Sequence, residues 1–522
     1  MKNGRLSADA IIALISIPIF IGALDLTVVS AVLPEVLQEL EVPFSEWDNA
    51  AWIVTGYLLA YTVSMTFMGR LSDLYGRRRV FLLALLVFSA GSYLVATADG
   101  WPTRLALQGY YRVSTARIDP AQVSLNVIIF TRIIQAFGAG AMVPVGMAMV
   151  GDLFPPERRP QRLGVIAAVD TAGWVVGHLY GGIIVRYFDW QMIFWLNLPI
   201  CFAALVVIYY SLKGVEQSRM PGQMDWIGAG LITLSLTALI LGLGTSAEGS
   251  SSATLGSNSA LPPYALPAFV LSGLLLLAFI RRQARYRYPL IELSLFRREN
   301  FSAANWANLL VGFSLFIAIA NVPLFINTLI AQTPEQGAWS SGWMLSALTV
   351  PMALAAVPGG WLTEKTNYRW PAAAGVVVAL FAFSLMTSWR QDTSFGAMIP
   401  HLVAAGIGFG ITLAPIASAA VNASPEGYRG TGSALVIVFR LLGMTAGVSS
   451  ITTYGLQRAE DLARQLLPAS ASIAETERVG VEVAERVISE TFWIAGAACV
   501  LAIIPILFLK NSNGENKGEC NV

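Results

Sequence analysis

Long runs of apolar residues alternate with short polar connections along nearly the whole chain. An α-helix needs about 20 such residues to cross a bilayer, and fourteen runs reach that length. They lie near 9–33, 49–69, 79–97, 124–150, 163–186, 193–212, 226–244, 264–281, 301–325, 341–362, 370–389, 398–421, 431–455 and 488–509. The first run is longer than a signal-peptide core, and no small-residue cleavage site follows it, so we expect a retained span. The pattern predicts an all-α membrane protein.

The composition supports a membrane protein. Hydrophobic residues make up 55% of the 522 residues and charged residues only 12%, about half of their share in soluble proteins. A net charge of +1 gives no attraction for a nucleic acid. The three cysteines, at positions 201, 499 and 520, have the spacing of neither a metal site nor a disulfide framework. We expect no nucleic-acid partner, no metal and no cofactor.

The distribution of Lys and Arg predicts the orientation. An even number of spans places both chain ends on the same side of the membrane. Of the 33 basic residues, 22 lie on that side, nine lie on the other side, and Arg132 and Arg440 fall within spans. Because such an excess is typical of cytoplasmic segments, we expect both termini in the cytoplasm of a bacterium, with the chain in its inner membrane.

Two of the outside connections are long. Residues 98–123 form a polar loop with no obvious structure. In 455–487, apolar residues recur at helical spacing on both sides of Pro468, which predicts two amphipathic helices that continue the last two spans and fold back as a hairpin. A helix lying on the outer leaflet is the alternative. The apolar positions are Leu456, Ala459, Leu462, Leu466, Ile473, Val479, Val483 and Val487.

A glycine-rich basic loop follows the second span. Its sequence is Gly69-Arg-Leu-Ser-Asp73-Leu-Tyr-Gly76-Arg77-Arg78-Arg79. Glycine permits close helix approach and a tight turn, while an Asp is able to cap the N-terminus of a neighbouring helix. A weaker copy, Gly360-Trp-Leu-Thr-Glu364-Lys365, lies about 290 residues further on. The repeat indicates two related halves, with the substrate site between them.

The loop resembles the signature of the major facilitator superfamily, and its repeat gives the chain the layout of the fourteen-span drug:proton antiporters. This resemblance implies the major facilitator fold, in which two six-helix halves flank two central linker spans. The N-terminal half would cover residues 1–212, the linker spans and their connections 213–298, and the C-terminal half 299–522 with the outside hairpin. It implies a cytoplasmic gating loop at Gly69, Asp73, Gly76, Arg77 and Arg78, and a second loop at Gly360, Glu364 and Lys365.

Other motifs are similar to that family. Ala23-Leu-Asp25-Leu-Thr resembles its first-span motif, and Arg132-Ile-Ile-Gln135 resembles the fourth-span motif whose Arg is implicated in proton coupling. The fifth span resembles the antiporter motif, with Gly173, Gly177, Gly181 and Gly182. The family has Pro where this chain has His178, and that departure puts strict drug-antiporter coupling in doubt.

Three short segments and the hairpin are similar to the mycobacterial lipoprotein-partnered triacylglyceride exporters. The segments are Trp52-Ile-Val-Thr-Gly-Tyr, Phe194-Trp-Leu-Asn-Leu-Pro199 and Arg440-Leu-Leu-Gly443-Met. The resemblance implies a monomer that exports lipid, with the proton gradient as its energy source and a periplasmic lipoprotein as a partner. Export of small amphipathic drugs is the alternative, since both activities use an apolar cavity and a proton step.

Ionisable residues within spans are costly and need a reason to be there. Burial favours the neutral form of a carboxylate, so Asp25 is a candidate proton carrier, with Arg132 and His178 as candidate coupling residues. Asp170 and Arg440 each precede a Gly-x-x-x-Gly by three residues, on spans that we expect to face each other across the cavity. We expect an ion pair between them that gates the two halves; pairing of each residue within its own half is the alternative.

An integral-membrane lipid-modifying enzyme is the alternative from another class. Such an enzyme needs a catalytic cluster close to the membrane, such as His with Asp at a fixed spacing. The two histidines stand alone in the sequence, and no Ser/His/Asp or Cys/His group is visible. The sequence therefore predicts a transporter and not an enzyme.

Overall fold

The computed structural model describes residues 7–42, 47–50, 52–113, 117–211, 220–243, 264–467 and 472–510. These ranges contain sixteen α-helices and no strand. Fourteen helical segments are long and apolar enough to cross a membrane, which confirms the predicted number and fold class. The helices are α1 Ala8–Glu39, α2 Trp47–Ala50, α3 Trp52–Tyr75, α4 Arg77–Ala96, α5 Trp101–Val113, α6 Pro120–Leu153, α7 Arg159–Tyr187, α8 Met192–Ser211, α9 Trp226–Leu243, α10 Ala265–Arg285, α11 Glu299–Phe325, α12 Pro334–Lys365, α13 Arg369–Met386, α14 Phe395–Ala423, α15 Arg429–Leu466 and α16 Ile473–Leu507.

The long helices pack as two bundles and a pair. One bundle contains α1, α3, α4, α6, α7 and α8, and the other contains α11 to α16. Helices α9 and α10 pack on each other, and α9 also contacts α3 and α15. The bundles meet along α3 with α15 and along α7 with α12. The predicted boundaries at 212 and 298 remain predictions, and the first of them falls in 212–219, outside the described residues.

Successive spans run in opposite directions, so the molecule has two ends. We call the end that carries the loop at Gly69–Arg79 the basic face. Helix α15 begins at this face with Arg429 and runs 38 residues to Leu466, and α16 returns over 35 residues. We call the opposite end, where these two helices project, the hairpin face.

The hairpin consists of the continuous ends of α15 and α16. Apolar side chains close the gap between the two helices; they are Leu462, Val479, Val483 and Val487, with Ala459, Ala463 and Leu466 packed against them. Nearer the helical bundle, Arg458 donates hydrogen bonds to both carboxylate oxygens of Glu490. Ser472 begins α16 with a capping box that includes Glu475. The predicted break at Pro468 lies in 468–471, outside the described residues.

The connection between the third and fourth spans differs from the prediction. Instead of a loop without structure, it contains α5 from Trp101 to Val113. Pro102 and Thr103 are buried, whereas Arg104 and Arg112 are exposed. Arg104, Gln108 and Arg112 recur at intervals of four residues, which places these polar side chains on one side of the helix.

Candidate functional site

The predicted gating loop joins the two bundles at the basic face. The carboxylate of Asp73 accepts hydrogen bonds from the backbone N–H groups of Gly430 and Thr431, each at 2.9 Å, and from the Thr431 hydroxyl at 2.7 Å. Gly430 and Thr431 belong to the first turn of α15, whose free N–H groups carry partial positive charge. A residue of the N-terminal bundle therefore caps a helix of the C-terminal bundle.

Close backbone approach explains two glycines of this loop. A Cβ atom at Gly69 would overlap the carbonyl of Gly430 and lie 2.8 Å from the Ala434 side chain. Gly76 has φ 95°, a conformation that other residues rarely adopt, and it turns the chain from α3 into α4. The glycines thus allow α3 to approach α15 and permit the tight turn behind it.

The arginines of the loop point in different directions. Arg77 is buried, forms an ion pair with Asp73, and donates to Asp152 at 3.1 Å. Asp152 also accepts from Arg429 of α15 at 3.0 Å, so this carboxylate bridges the bundles. Arg78 instead donates to the carbonyl of Tyr209 at 2.8 Å and stacks on its ring, within the N-terminal bundle.

The second predicted loop, at Gly360–Lys365, makes the equivalent contact from the C-terminal bundle to the N-terminal bundle. Glu364 of the C-terminal bundle accepts a hydrogen bond from the Gln161 N–H, in the first turn of α7, at 3.1 Å. A Cβ atom at Gly360 would overlap the carbonyl of Pro160, as one at Gly69 would overlap Gly430. Lys365 stacks on the ring of Trp361 in its own helix. The two loops therefore form a reciprocal pair of caps.

Asp25 lies in a buried polar cluster of the N-terminal bundle. Its side chain is fully buried and that of Arg132 is 1% exposed, and the Arg132 guanidinium donates to its Oδ2 at 2.5 Å. Gln135 and Asn197 donate to its Oδ1 at 3.0 and 3.3 Å. The guanidinium also stacks over the Tyr57 ring, 4.0 Å from the centroid. Each charge is compensated, as a charge at this depth requires.

The described contacts of this cluster do not include His178. Its backbone is part of α7, but its side chain lies outside the described part of the structure. The proposed coupling role of His178 therefore stays a prediction.

Asp170 and Arg440 contact each other across the two bundles. Arg440 Nη2 donates to Asp170 Oδ2 at 3.2 Å, with side-chain exposures of 13% and 7%. Among the side chains that the structure describes, none forms a hydrogen bond with the second carboxylate oxygen of Asp170 or with the indole N–H of Trp174, one turn further along α7, and both atoms are buried. The pair therefore connects α7 of one bundle to α15 of the other.

The Gly-x-x-x-Gly motifs pack within bundles and not between them. A Cβ atom at Gly173 would overlap Phe20 and Ala23 of α1, and one at Gly177 would overlap Leu24 and Thr27. Gly443 and Gly447 approach α11 in the same way, at Leu309 and Phe313. Among the other predicted motif glycines, Gly181 is buried and Gly182 is exposed, and no atom of the described side chains lies within 4 Å of the Gly182 Cβ position. The motif fixes α7 on α1.

Sequence reasoning missed several residues that join the bundles at the basic face. Asp152 and Arg429 form an inter-bundle bridge, and Arg159 donates to Asn422 at 2.5 Å. One signal was present in the sequence. Short Pro-Glu turns precede both α7 and α15, and each turn is followed by an arginine that begins the next helix, Arg159 and Arg429.

Comparison with known proteins gives consistent results. The sequence profile of the Major Facilitator Superfamily matches residues 15–448. A probable triacylglyceride transporter of Mycobacterium bovis is 29% identical over 524 residues, which cover 97% of this chain and 94% of that protein. A triacylglyceride transporter of Mycobacteroides abscessus is 31% identical over 454 residues, covering 85% and 81%. The predicted resemblance to mycobacterial triacylglyceride transporters is confirmed.

Solved structures agree on the fold. The human organic anion transporter MFSD10 has a TM-score of 0.59 at 15% identity, covering 95% of this chain and 100% of that one. The proton:xylose symporter XylE also has a TM-score of 0.59, at 14% identity, covering 95% and 94%. With two bundles joined by reciprocal caps, fourteen candidate spans and these relatives, the chain belongs to the major facilitator superfamily and is a multi-pass membrane transporter.

Proposed function

We propose that this transporter is a proton-coupled exporter of lipophilic molecules, with triacylglycerides or similar lipids as its cargo. The observation that carries the proton coupling is the buried Asp25–Arg132 pair. Protonation of Asp25 would remove one charge of this pair and leave Arg132 with Gln135, to which it already donates at 2.7 Å. A buried charge without its partner is costly in free energy. Protonation of Asp25 would therefore be able to shift the equilibrium between conformations of the transporter.

The contacts between α1 and α7 give this event a mechanical route. Thr27, two residues after Asp25, donates to the carbonyl of Trp174 at 3.0 Å. Trp174 lies one helical turn from Asp170, which pairs with Arg440 of the other bundle. Gly173 and Gly177 of α7 lie directly against the backbone of α1. A shift of α1 therefore moves α7 and strains the Asp170–Arg440 contact. Asp25 thereby controls the seam through α1 and α7.

Lipid as the cargo is supported by the relatives and by the hairpin. Relatives that match over most of the chain are named triacylglyceride transporters. The hairpin extends both helices well beyond the length of a span and keeps an apolar seam between them. An extension of this kind offers a lipid a protected path away from the membrane, for delivery to a periplasmic lipoprotein.

We also infer the orientation and the state of assembly. The excess of Lys and Arg at the basic face supports a cytoplasmic location for that face and for both termini, in a bacterial inner membrane. The transporter would work as a monomer, with no cofactor and with the proton gradient as its energy source. The seam at the basic face, joined by both caps, would then be a closed cytoplasmic gate.

Transport by purified protein in proteoliposomes tests the cargo. A fluorescent triacylglycerol and a cationic dye are offered in parallel, with and without an imposed pH gradient. Gradient-dependent movement of the lipid supports the proposal. Movement of the dye alone would establish the alternative, a multidrug:proton antiporter, and movement of neither above protein-free liposomes would contradict both.

A further inference from the structure

The two linker spans end on the gate. The segment before α9, which begins with the described residue Met220, runs along the basic face, and Glu292 follows α10 on the same face. Both make contacts at the seam between α3 and α15. The linker is thus more than a covalent connection between the bundles.

Arg70 of the gating loop is a buried cation with unusual partners. Its side chain is 1% exposed, and within the described residues no carboxylate forms an ion pair with it. Its Nη1 donates to the sulfur of Met220 at 3.4 Å, and its guanidinium lies over the ring of Tyr428, 4.9 Å from the centroid. Sulfur and aromatic faces are polarisable, so both stabilise a cation that has little access to water.

Met220 touches both bundles. Its backbone N–H donates to the carbonyl of Asp73 at 3.0 Å, on the N-terminal side of the seam. Its side chain lies against Gly427 of the C-terminal bundle, where an added Cβ atom would be 2.7 Å from its sulfur. Tyr428, the next residue, donates from its hydroxyl to Glu292 at 3.3 Å. The linker therefore holds Tyr428 from one side while Arg70 holds it from the other.

Hydrogen bonds connect the two linker helices at their base. Asp225 accepts hydrogen bonds from the Gly228 N–H at 2.9 Å, from Gln283 at 3.0 Å and from Arg282 at 2.8 Å, which tie α9 to α10. Gln283 in turn accepts from the Ile291 N–H at 3.2 Å. Although burial opposes ionisation, the hydrogen bonds from Arg282 and Gly228 lower the pKa of Asp225 below its usual value. Met220 and Glu292 therefore extend from a base that these hydrogen bonds hold together.

We propose that the linker is a latch on the gate, with Met220 and Glu292 as positioning residues that hold α3 and the Tyr428 turn together. When the bundles separate at the basic face, Met220 cannot remain against both Asp73 and Gly427. Arg70 and Tyr428 must also part, which leaves the Arg70 charge to be taken up by water. The latch thus stabilises the closed gate, whatever the cargo and whatever drives transport.

Distances between spin labels test the latch without any cargo. Labels at Arg158→Cys, just before α7, and at Trp370→Cys, at the start of α13 just after α12, report the α7–α12 side of the seam, remote from the linker. The background is Cys520→Ser; Cys201 and Cys499 are buried. We expect Met220→Ala to increase the ratio of open to closed molecules by roughly three- to tenfold, the size expected for one lost hydrogen bond and its packing. Glu292→Ala removes the acceptor of the Tyr428 hydroxyl, at 3.3 Å, and should increase the ratio about twofold.

Ser235→Ala is the matched control. Ser235 and Ser272 exchange hydrogen bonds between α9 and α10, away from the gate. Loosening the linker there should leave the distances unchanged. The latch is refuted if both Met220→Ala and Glu292→Ala keep the wild-type distribution, or if Ser235→Ala shifts it equally. Because the readout is conformational, failure of lipid transport or of proton coupling would not imitate either result.

Discussion

The carboxylate of Asp170 lies 3.2 Å from the guanidinium of Arg440, and the two residues occupy equivalent positions in the two bundles. Each lies eleven residues after the arginine that begins its helix, Arg159 for α7 and Arg429 for α15. A contact between equivalent positions lies on the pseudo-two-fold axis that relates them. The pair is therefore placed where a relative movement of the bundles acts on it directly.

Neutralising this pair should be strongly non-additive. In Asp170→Asn or Arg440→Gln the remaining charge stays buried without its partner, which costs about 3 kcal/mol of stability in such pairs. The double substitution removes both charges and should recover most of that loss. Thermal unfolding in detergent, measured with transport, checks this. Effects of the single substitutions that simply add would indicate that each residue pairs within its own bundle.

The glycines of α7 should differ sharply in their tolerance of alanine. Gly177→Ala places a methyl group against Thr27 and the carbonyl of Leu24, so we expect it to force α7 away from α1 and to lower transport about tenfold or more. Gly182→Ala adds a methyl group that meets none of the described side chains, and it should leave transport at the wild-type rate. Equal loss in the two variants would contradict a role in α1–α7 packing.

The two reciprocal caps should be unequal in strength. Asp73 accepts three hydrogen bonds from α15 and pairs with Arg77, whereas Glu364 accepts one from α7 and lies 3.6 Å from Arg162. Asp73→Asn weakens hydrogen bonds to a charged group, so it should increase the ratio of open to closed molecules by roughly 10- to 100-fold. Glu364→Gln should change the ratio less than about threefold. Spin-label distances across the basic face measure both, and the reverse order would show that Glu364 is the principal cap.

Separating the hairpin helices should affect lipid more than dye. Val483→Asp puts a carboxylate into the apolar seam with Leu462 and Val479, where it lacks a partner. We expect lipid export to fall at least about tenfold while any movement of a cationic dye persists. Glu477→Gln, an exposed change one to two turns away, is the control. Unchanged lipid export in Val483→Asp, with the helices shown to be apart, would remove the hairpin from the transport path.

Features that depend on local sequence were predictable. The number of spans follows from the length of each apolar run, since the bilayer imposes the same length on every helix. The caps at Asp73 and Glu364 lie in a repeated loop, and the Asp170–Arg440 contact was expected from matched spacing. Contacts that depend on which helix lies opposite were not predictable. Gly173 and Gly443 indicated that another helix approaches closely, but not which one. In the structure it is α1 for Gly173 and α11 for Gly443, each within the same bundle.

The sequence did not indicate the contacts of some other side chains, for the same reason. Arg78 looks like its neighbour Arg77 in the sequence, yet the helical turn directs it to Tyr209 and away from the seam. Asp152 carries no motif of its own and gains its place only because α6 ends beside α15. Met220 lies in a polar connection, where nothing in the sequence indicates a contact with the gate.

The most direct measurement is the rate of lipid export by Asp25→Asn in proteoliposomes, with and without a pH gradient. The exposed Asp99→Asn is the matched control. If Asp25 carries the coupled proton, the gradient accelerates export by wild type and by Asp99→Asn, whereas Asp25→Asn exchanges lipid at a rate that the gradient does not change. Acceleration of Asp25→Asn to the same extent as wild type would contradict proton coupling through Asp25.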